Sequence, residues 1–335
     1  MKSAETKEYY RILSPDYPDW LDEYINTKEL QSQKYVSVTN GTIYTDLLDI
    51  DTFYSSLDHS IAVALVVWHF TKDKKQTLAG LFHDIATPAF KHCVDILNGD
   101  ALKQESTEQL TTEFIKKSDD VMKLLKRDGI KLEEIDDYHI YPIADNDTPQ
   151  LSADRLEYSL SNGLYLYHQF TLDDIRKIYN DIEIQKNESG EIELGFKTKA
   201  IARKFVKTTS KLSTIYRGKE TRYSMFFITE LLKKLKDEGK LTVQDLFDRK
   251  ESDIIKIIED SDCKEAFDTW RKATKLKVSP TPPEGVFSTN QPVKLRYIDP
   301  LWNGVRMSKA CKIAKTAIDK AISFDTSGYV YIDEK

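Results

Sequence analysis

Residues 55–70 read SSLDHSIAVALVVWHF, the longest apolar helix pattern in the chain. Its uninterrupted run, IAVALVVW (61–68), is far shorter than the roughly 20 apolar residues that span a bilayer. Such a helix belongs in a protein core. The chain has 335 residues, of which 40% are apolar, enough for one large domain or two ordinary ones. Yet His59 stands near the start of this helix, and the next apolar stretch, LAGLFHDIATPAFKH (78–92), carries His83 and Asp84 side by side and His92 beyond them. Burying such groups without partners costs on the order of several kcal/mol. The sequence therefore asks what stands opposite them.

Helical periodicity dominates elsewhere. Residues 18–31 have apolar positions at helical spacing, as do the charge-rich stretch 101–135 and the segments 151–166, 197–215 and 220–238. A helix from about 75 runs toward Thr87, where Pro88 opens a new segment. Two hairpins are expected. One lies in 35–48, which alternates around Asn40-Gly41; the other lies in 182–196, around Glu188-Ser189-Gly190. Residues 141–150 have turn chemistry. A proline-rich loop, 279–292, precedes a carboxy-terminal piece with a helix from about Ser308 and a final strand, GYVYID. The expected fold is mainly α with small β-hairpins and a carboxy-terminal α+β appendage. Its expected divisions are 1–180, 181–278 and 279–335, the last with no chemistry assigned to it.

Charge and cysteine usage narrow the class. The formal net charge of −6 argues against a general polyanion binder, although a local basic cleft remains compatible with it. Cys93, Cys263 and Cys311 are far apart and form neither a metal-type pair nor a disulfide framework, which suits a reducing cytoplasm. The polar opening MKSAETKEYY has no apolar signal core, so a cytoplasmic protein without membrane attachment is expected.

Three places combine ligand-type side chains with helical context: His59, the His83-Asp84 tandem and Asp154 in LSADRLEY. Imidazole and carboxylate together suit a borderline divalent ion, and two of each would leave positions open for water and substrate. Taken singly, each has an ordinary reading. The tandem can be a helix end, His59 a hydrogen-bonded core histidine, and Asp154 a first-turn carboxylate favoured by the helix dipole.

In order, however, LDHSIAVA, LAGLFHDIATPAFKH and LSADRLEY resemble the H…HD…D signature of the HD-domain metal-dependent phosphohydrolases. The flanks LFHDIATPAFKH and ADRLEY are most similar to the branch containing the deoxynucleoside triphosphate triphosphohydrolases. The resemblance covers about 20–170, with a looser match over 197–238. It implies an HD-type helical bundle that hydrolyses a nucleotide or related phosphoester. His59, His83, Asp84 and Asp154 match the ligands of one divalent ion (Mn, Fe, Zn, Ni or Mg). Asp84 and His92 are the implied catalytic pair, with His92 donating a proton to the leaving oxygen. Arg155, Tyr158, Glu105, Lys219 and Arg222 are the implied substrate-binding residues. A homo-oligomer is also implied. The aromatics of YRGKETRYSMFF fit core packing at least as well as base stacking, so nucleic acid is not the expected partner.

Departures from the pattern are Ser56 for an arginine, Thr87 and Gln104 for histidines, and Asn162 for an acid. They argue for one ion rather than two and motivate one alternative, a non-catalytic nucleotide sensor or assembly module with a structural metal; a second alternative is a cyclic-nucleotide phosphodiesterase, which shares the signature.

Overall fold

The structure, a computed structural model, describes residues 3–333; Met1 and Lys2 of the polar opening lie outside the described residues. Helix makes up 55% of it, which settles the mainly α class, and the β structure is confined to small sheets. The apolar pattern at 55–70 becomes the helix Ser56–Thr71, capped by the Ser55 hydroxyl, which accepts the Asp58 N–H at 3.1 Å. Every residue from His59 to Val67 is buried. The following helix, Lys74–Phe82, starts at Asp73, whose carboxylate accepts the N–H groups of Lys75 and Gln76. It stops earlier than expected, leaving His83 at its cap and residues 84–86 in turns. The two helices pack closely because Gly80 has no side chain: a Cβ there would lie 3.2 Å from Val67 Cγ2.

Apolar burial falls into two clusters. One is built on Ser56–Thr71 and its neighbours, and continues through Phe205 and Val206 to Ile298, Met307 and Ile318. The other gathers Phe90, Cys93 and Val94 with Lys219–Asp237, the helices that follow it, Val293 and Val330. The clusters cross the divisions expected near 180 and 278, because the chain returns after 293 to pack on both.

The hairpin expected at 182–196 forms, Ile182–Lys186 pairing with Ile192–Phe196, and the sheet is extended by Leu301–Trp302 and Val305–Arg306. The hairpin expected at 35–48 does not. Asn40 and Gly41 both take positive φ, as a tight turn requires, but the stretch before them pairs elsewhere: Val38 N–H donates to Tyr54 and Ser56 N–H to Val36. Residues after the turn enter a single helical turn, Thr42–Tyr44. Tertiary pairing with the segment before the apolar helix outcompetes local pairing.

Residues 18–31 form two short helices, Leu21–Ile25 and Lys28–Ser32, rather than one. The helices Lys199–Tyr216 and Lys219–Asp237 match expectation. Residues 307–322 form two helices, Met307–Ala310 and Lys312–Ile322, and the final strand, Tyr329–Tyr331, is the centre of a three-stranded sheet. Among the described residues no helix is long and apolar enough to cross a membrane.

Candidate metal centre

His59 projects from the first turn of its helix toward the end of the next, where His83 stands. A third helix, Ala153–Ser161, is capped by Ser152, whose hydroxyl accepts the Arg155 N–H at 3.2 Å, and so carries Asp154 in its first turn. The three helices bring four side chains together. His59 Nε2 lies 3.1 Å from Asp154 Oδ1, 3.2 Å from His83 Nε2 and 4.0 Å from Asp84 Oδ2. His83 Nε2 is 3.8 Å from each of the same two carboxylate oxygens.

Second partners orient both rings. Nδ1 of His83 donates to the Gly80 carbonyl at 2.8 Å, and Nδ1 of His59 meets the carboxylate of Glu157. With Nδ1–H donated outward, each Nε2 turns a lone pair inward. Two lone pairs and the carboxylates then face one another, an arrangement that repels itself unless a proton or cation sits between. Separations of 3.1–4.0 Å suit donors about 2.0–2.2 Å from a shared ion. His59, His83 and Asp154 thus make a group that could hold a metal ion, and the donor chemistry fits one. Without a cation, burial opposes charge on His59, but Glu157 and Asp154 outweigh it and push its pKa up to about 10. A proton there takes the place of the ion.

Asp84 has a further partner: Lys91 Nζ lies 2.6 Å from its Oδ2. Burial works against the Asp84 charge, yet Lys91, His83 and His59 hold the carboxyl well below the usual range. Lys91 is itself held in an unusual backbone. Phe90 and Lys91 both have positive φ, 64° and 44°, and strain of this kind is found at functional sites. Glu157 is fully buried and also accepts the hydroxyls of Tyr9 at 3.1 Å and Tyr54 at 2.9 Å.

The centre forms one wall of a cavity of about 660 Å³, within the size range of small-molecule sites. His92, Arg155, Tyr158 and Glu105 line it. Arg155 is tied to Asp145 at 2.9 Å and Asn146 at 2.8 Å. Tyr158, Tyr167 and Tyr216 furnish an aromatic side. Lys219 and Arg222 do not reach the cavity. Lys219 donates to the Leu276 carbonyl, and Arg222, almost wholly buried, donates to the Gln291 carbonyl. Their substrate-binding role is therefore withdrawn: Lys219 ties the Lys219–Asp237 helix to the stretch at Leu276, and Arg222 ties it to the carboxy-terminal piece at Gln291.

The proton-donor role expected of His92 is also revised. Its Nδ1 bonds Asp95 at 2.9 Å, while Nε2 faces the Arg296 guanidinium at 3.2 Å and serves as an acceptor. Burial, aided by Arg296 and opposed by Asp95, pushes its pKa down to about 4, so the ring is neutral at pH 7. Sequence reasoning missed Glu157, Lys91, Arg296 and Lys294. Glu157 had a signal, since it lies three residues after Asp154 on the same helical face. Lys91 had a weaker one, a lone charge in the apolar stretch TPAF-K-H.

No family model matches the chain. It is 26% identical over 129 residues to an uncharacterized protein of Bacillus subtilis, YdhJ; the match covers 38% of this chain and 39% of the relative, so the chain spans about two fifths of the curated relative it matches. Two solved structures are alike over nearly their whole length. A hypothetical protein from Aquifex aeolicus aligns with a TM-score of 0.62 at 14% identity, covering 95% of this chain and 93% of that one. A phosphohydrolase from Bacteroides thetaiotaomicron aligns with a TM-score of 0.56 at 12% identity, covering 96% and 97%. At these identities the likeness is one of fold.

Proposed function

We propose that the chain is a metal-dependent phosphohydrolase of the HD type, acting on a nucleotide or related phosphoester. The observation that carries the reading is the convergence of His59, His83 and Asp154, with Asp84 alongside and both imidazoles fixed from behind. A fold shared with a phosphohydrolase supports it. A divalent ion held by these four residues would polarise a phosphoryl oxygen and bring the pKa of water toward neutrality.

The remaining steps belong to the chain. Asp84, kept ionised beside Lys91, would orient the attacking water by accepting its hydrogen bond. Lys91 offsets phosphate charge next to it. Arg155 and Tyr158 border the substrate space, and the cavity's aromatic side suits the face of a base or other flat group. The closeness of this chain to the deoxynucleoside triphosphate branch rests on the sequence resemblance alone.

The test is metal analysis of the purified protein joined to a panel of nucleotides and phosphoesters. Phosphate or polyphosphate release with Mn or a similar ion is expected, and Asp84→Ala should abolish it. Turnover persisting in metal-free Asp84→Ala protein would sink the reading.

A second reading is a nucleotide sensor that keeps its metal for structure. The neutral His92 and the direct hold of Lys91 on Asp84 favour it, because both reduce the acid–base chemistry on offer. It requires thermal stabilisation by a nucleotide that is returned intact.

A further inference from the structure

Four basic side chains line the cavity, and three of them are neutralised within it. Lys91 faces Asp84 at 2.6 Å, Arg155 faces Asp145 at 2.9 Å, and Lys294 faces Glu105 at 3.0 Å. Arg296 differs. Its guanidinium donates to Gln104 Oε1 at 2.6 Å and meets His92 Nε2 at 3.2 Å, neither of them a carboxylate. Among the described residues it forms no ion pair, although it is partly buried. A guanidinium withdrawn from water beside neutral acceptors lacks the compensation that buried charges normally have. The same group has planar geometry suited to two oxygens of one phosphate.

The backbone that carries Arg296 is held on both sides. Thr289 pairs with Val330 in one sheet and Leu301 with Gly195 in the other. Between them Val293 is buried in one apolar cluster and Ile298 in the other, and the Asp299 N–H donates to the Pro149 carbonyl at 2.9 Å. The segment 290–300 therefore crosses from one core to the other along the cavity, and Gln104 fixes the guanidinium where it stands. Such anchoring is what a preorganised ligand contact requires.

We propose that Arg296 receives a phosphate group of the substrate, and that the carboxy-terminal segment is part of the active site rather than an accessory to it. The proposal rests on the phosphohydrolase reading above and adds to it the residue that grips the anion. It also accounts for Gln104, which holds the arginine, and for the neutral ring of His92, which accepts from it.

The probe is inorganic pyrophosphate, titrated calorimetrically into the full chain with and without Mn, with bound metal measured on the same samples. Arg296→Gln should keep the metal content and thermal stability of the parent but bind pyrophosphate roughly ten- to a hundredfold more weakly. Arg296→Lys, which keeps the charge without the fork, should recover part of the loss. Parent-like pyrophosphate binding by Arg296→Gln overturns the proposal and leaves the phosphohydrolase reading standing. A parent protein that binds metal but no pyrophosphate also overturns the proposal alone. A parent that binds neither removes both.

Discussion

Glu157 and His59 meet through Nδ1 of the imidazole, while Asp154, one turn earlier on the Glu157 helix, meets Nε2 of the same ring. One helix thus grips a histidine of another at both nitrogens. The outer contact fixes the tautomer and the inner one faces the ion site. Glu157→Gln preserves shape but replaces the charged acceptor with a neutral amide: its oxygen can still accept from Nδ1–H, yet it no longer raises the basicity of the ring, and its NH₂ must then face the Tyr9 and Tyr54 hydroxyls. Metal affinity should drop roughly ten- to a hundredfold, as measured by competition with a chelating dye. A Glu157→Gln protein with parent affinity would show that the charge of the outer contact does not strengthen the ring as a ligand.

Metal binding should release protons. Without an ion, the His59 pKa is raised to about 10, because Glu157 and Asp154 outweigh the effect of burial. The ring therefore carries a proton at pH 7 that an incoming cation must displace. Affinity should rise with pH by roughly tenfold per unit below about 10, with about one proton released per ion. Calorimetry in buffers of differing ionisation enthalpy counts that proton directly. The same shift makes the His59 contribution to metal-free stability complete below pH 6.5 and lost as pH rises through about 10.

His92 should titrate in the opposite sense. Its folded pKa near 4 lies below the ordinary 6.5, chiefly because the ring is buried. The unfolded chain then takes up a proton at this residue before the folded chain does. Stability is full above pH 6.5 and falls as the pH drops through about 4, by no more than about 3 kcal/mol. An imidazole NMR titration of His92 should show no change between pH 8 and 6. A midpoint near 6.5 would restore it as a proton donor.

Much of this site was legible in the sequence, for identifiable reasons. Residues 61–68 lack charge, which made the central helix plain, and the order of His59, His83-Asp84 and Asp154 carried the resemblance that linked them. Asn40-Gly41 misled because turn chemistry specifies φ and not the strand that pairs beside it. Both residues do take positive φ, yet their neighbours pair across to Tyr54 and Val36. Arg222 misled because a loose resemblance over 197–238 says nothing about which charges there are covered; its guanidinium ends on a backbone carbonyl. Arg296 lay in a stretch without periodicity or motif, and its two partners are at positions 92 and 104. Nothing local in the sequence could join groups so far apart.

The last expectation concerns Gly80, which couples helix packing to the ion site. An added Cβ would stand 3.2 Å from Val67 Cγ2 and 3.4 Å from Val63 Cγ1, so Gly80→Ala needs only small shifts. Gly80→Val adds two methyl groups in the same place and must push the helices Lys74–Phe82 and Ser56–Thr71 apart. Overpacking of this kind costs about 1–3 kcal/mol. The displacement also moves the Gly80 carbonyl that accepts from His83 at 2.8 Å, and with it the alignment of His83 against His59. Thermal melts should rank parent, Gly80→Ala and Gly80→Val in falling order. Metal titration of the folded proteins should show a marked loss of affinity only in Gly80→Val. Parent affinity in a destabilised Gly80→Val protein would mean that the two histidines are held together independently of the contact between their helices.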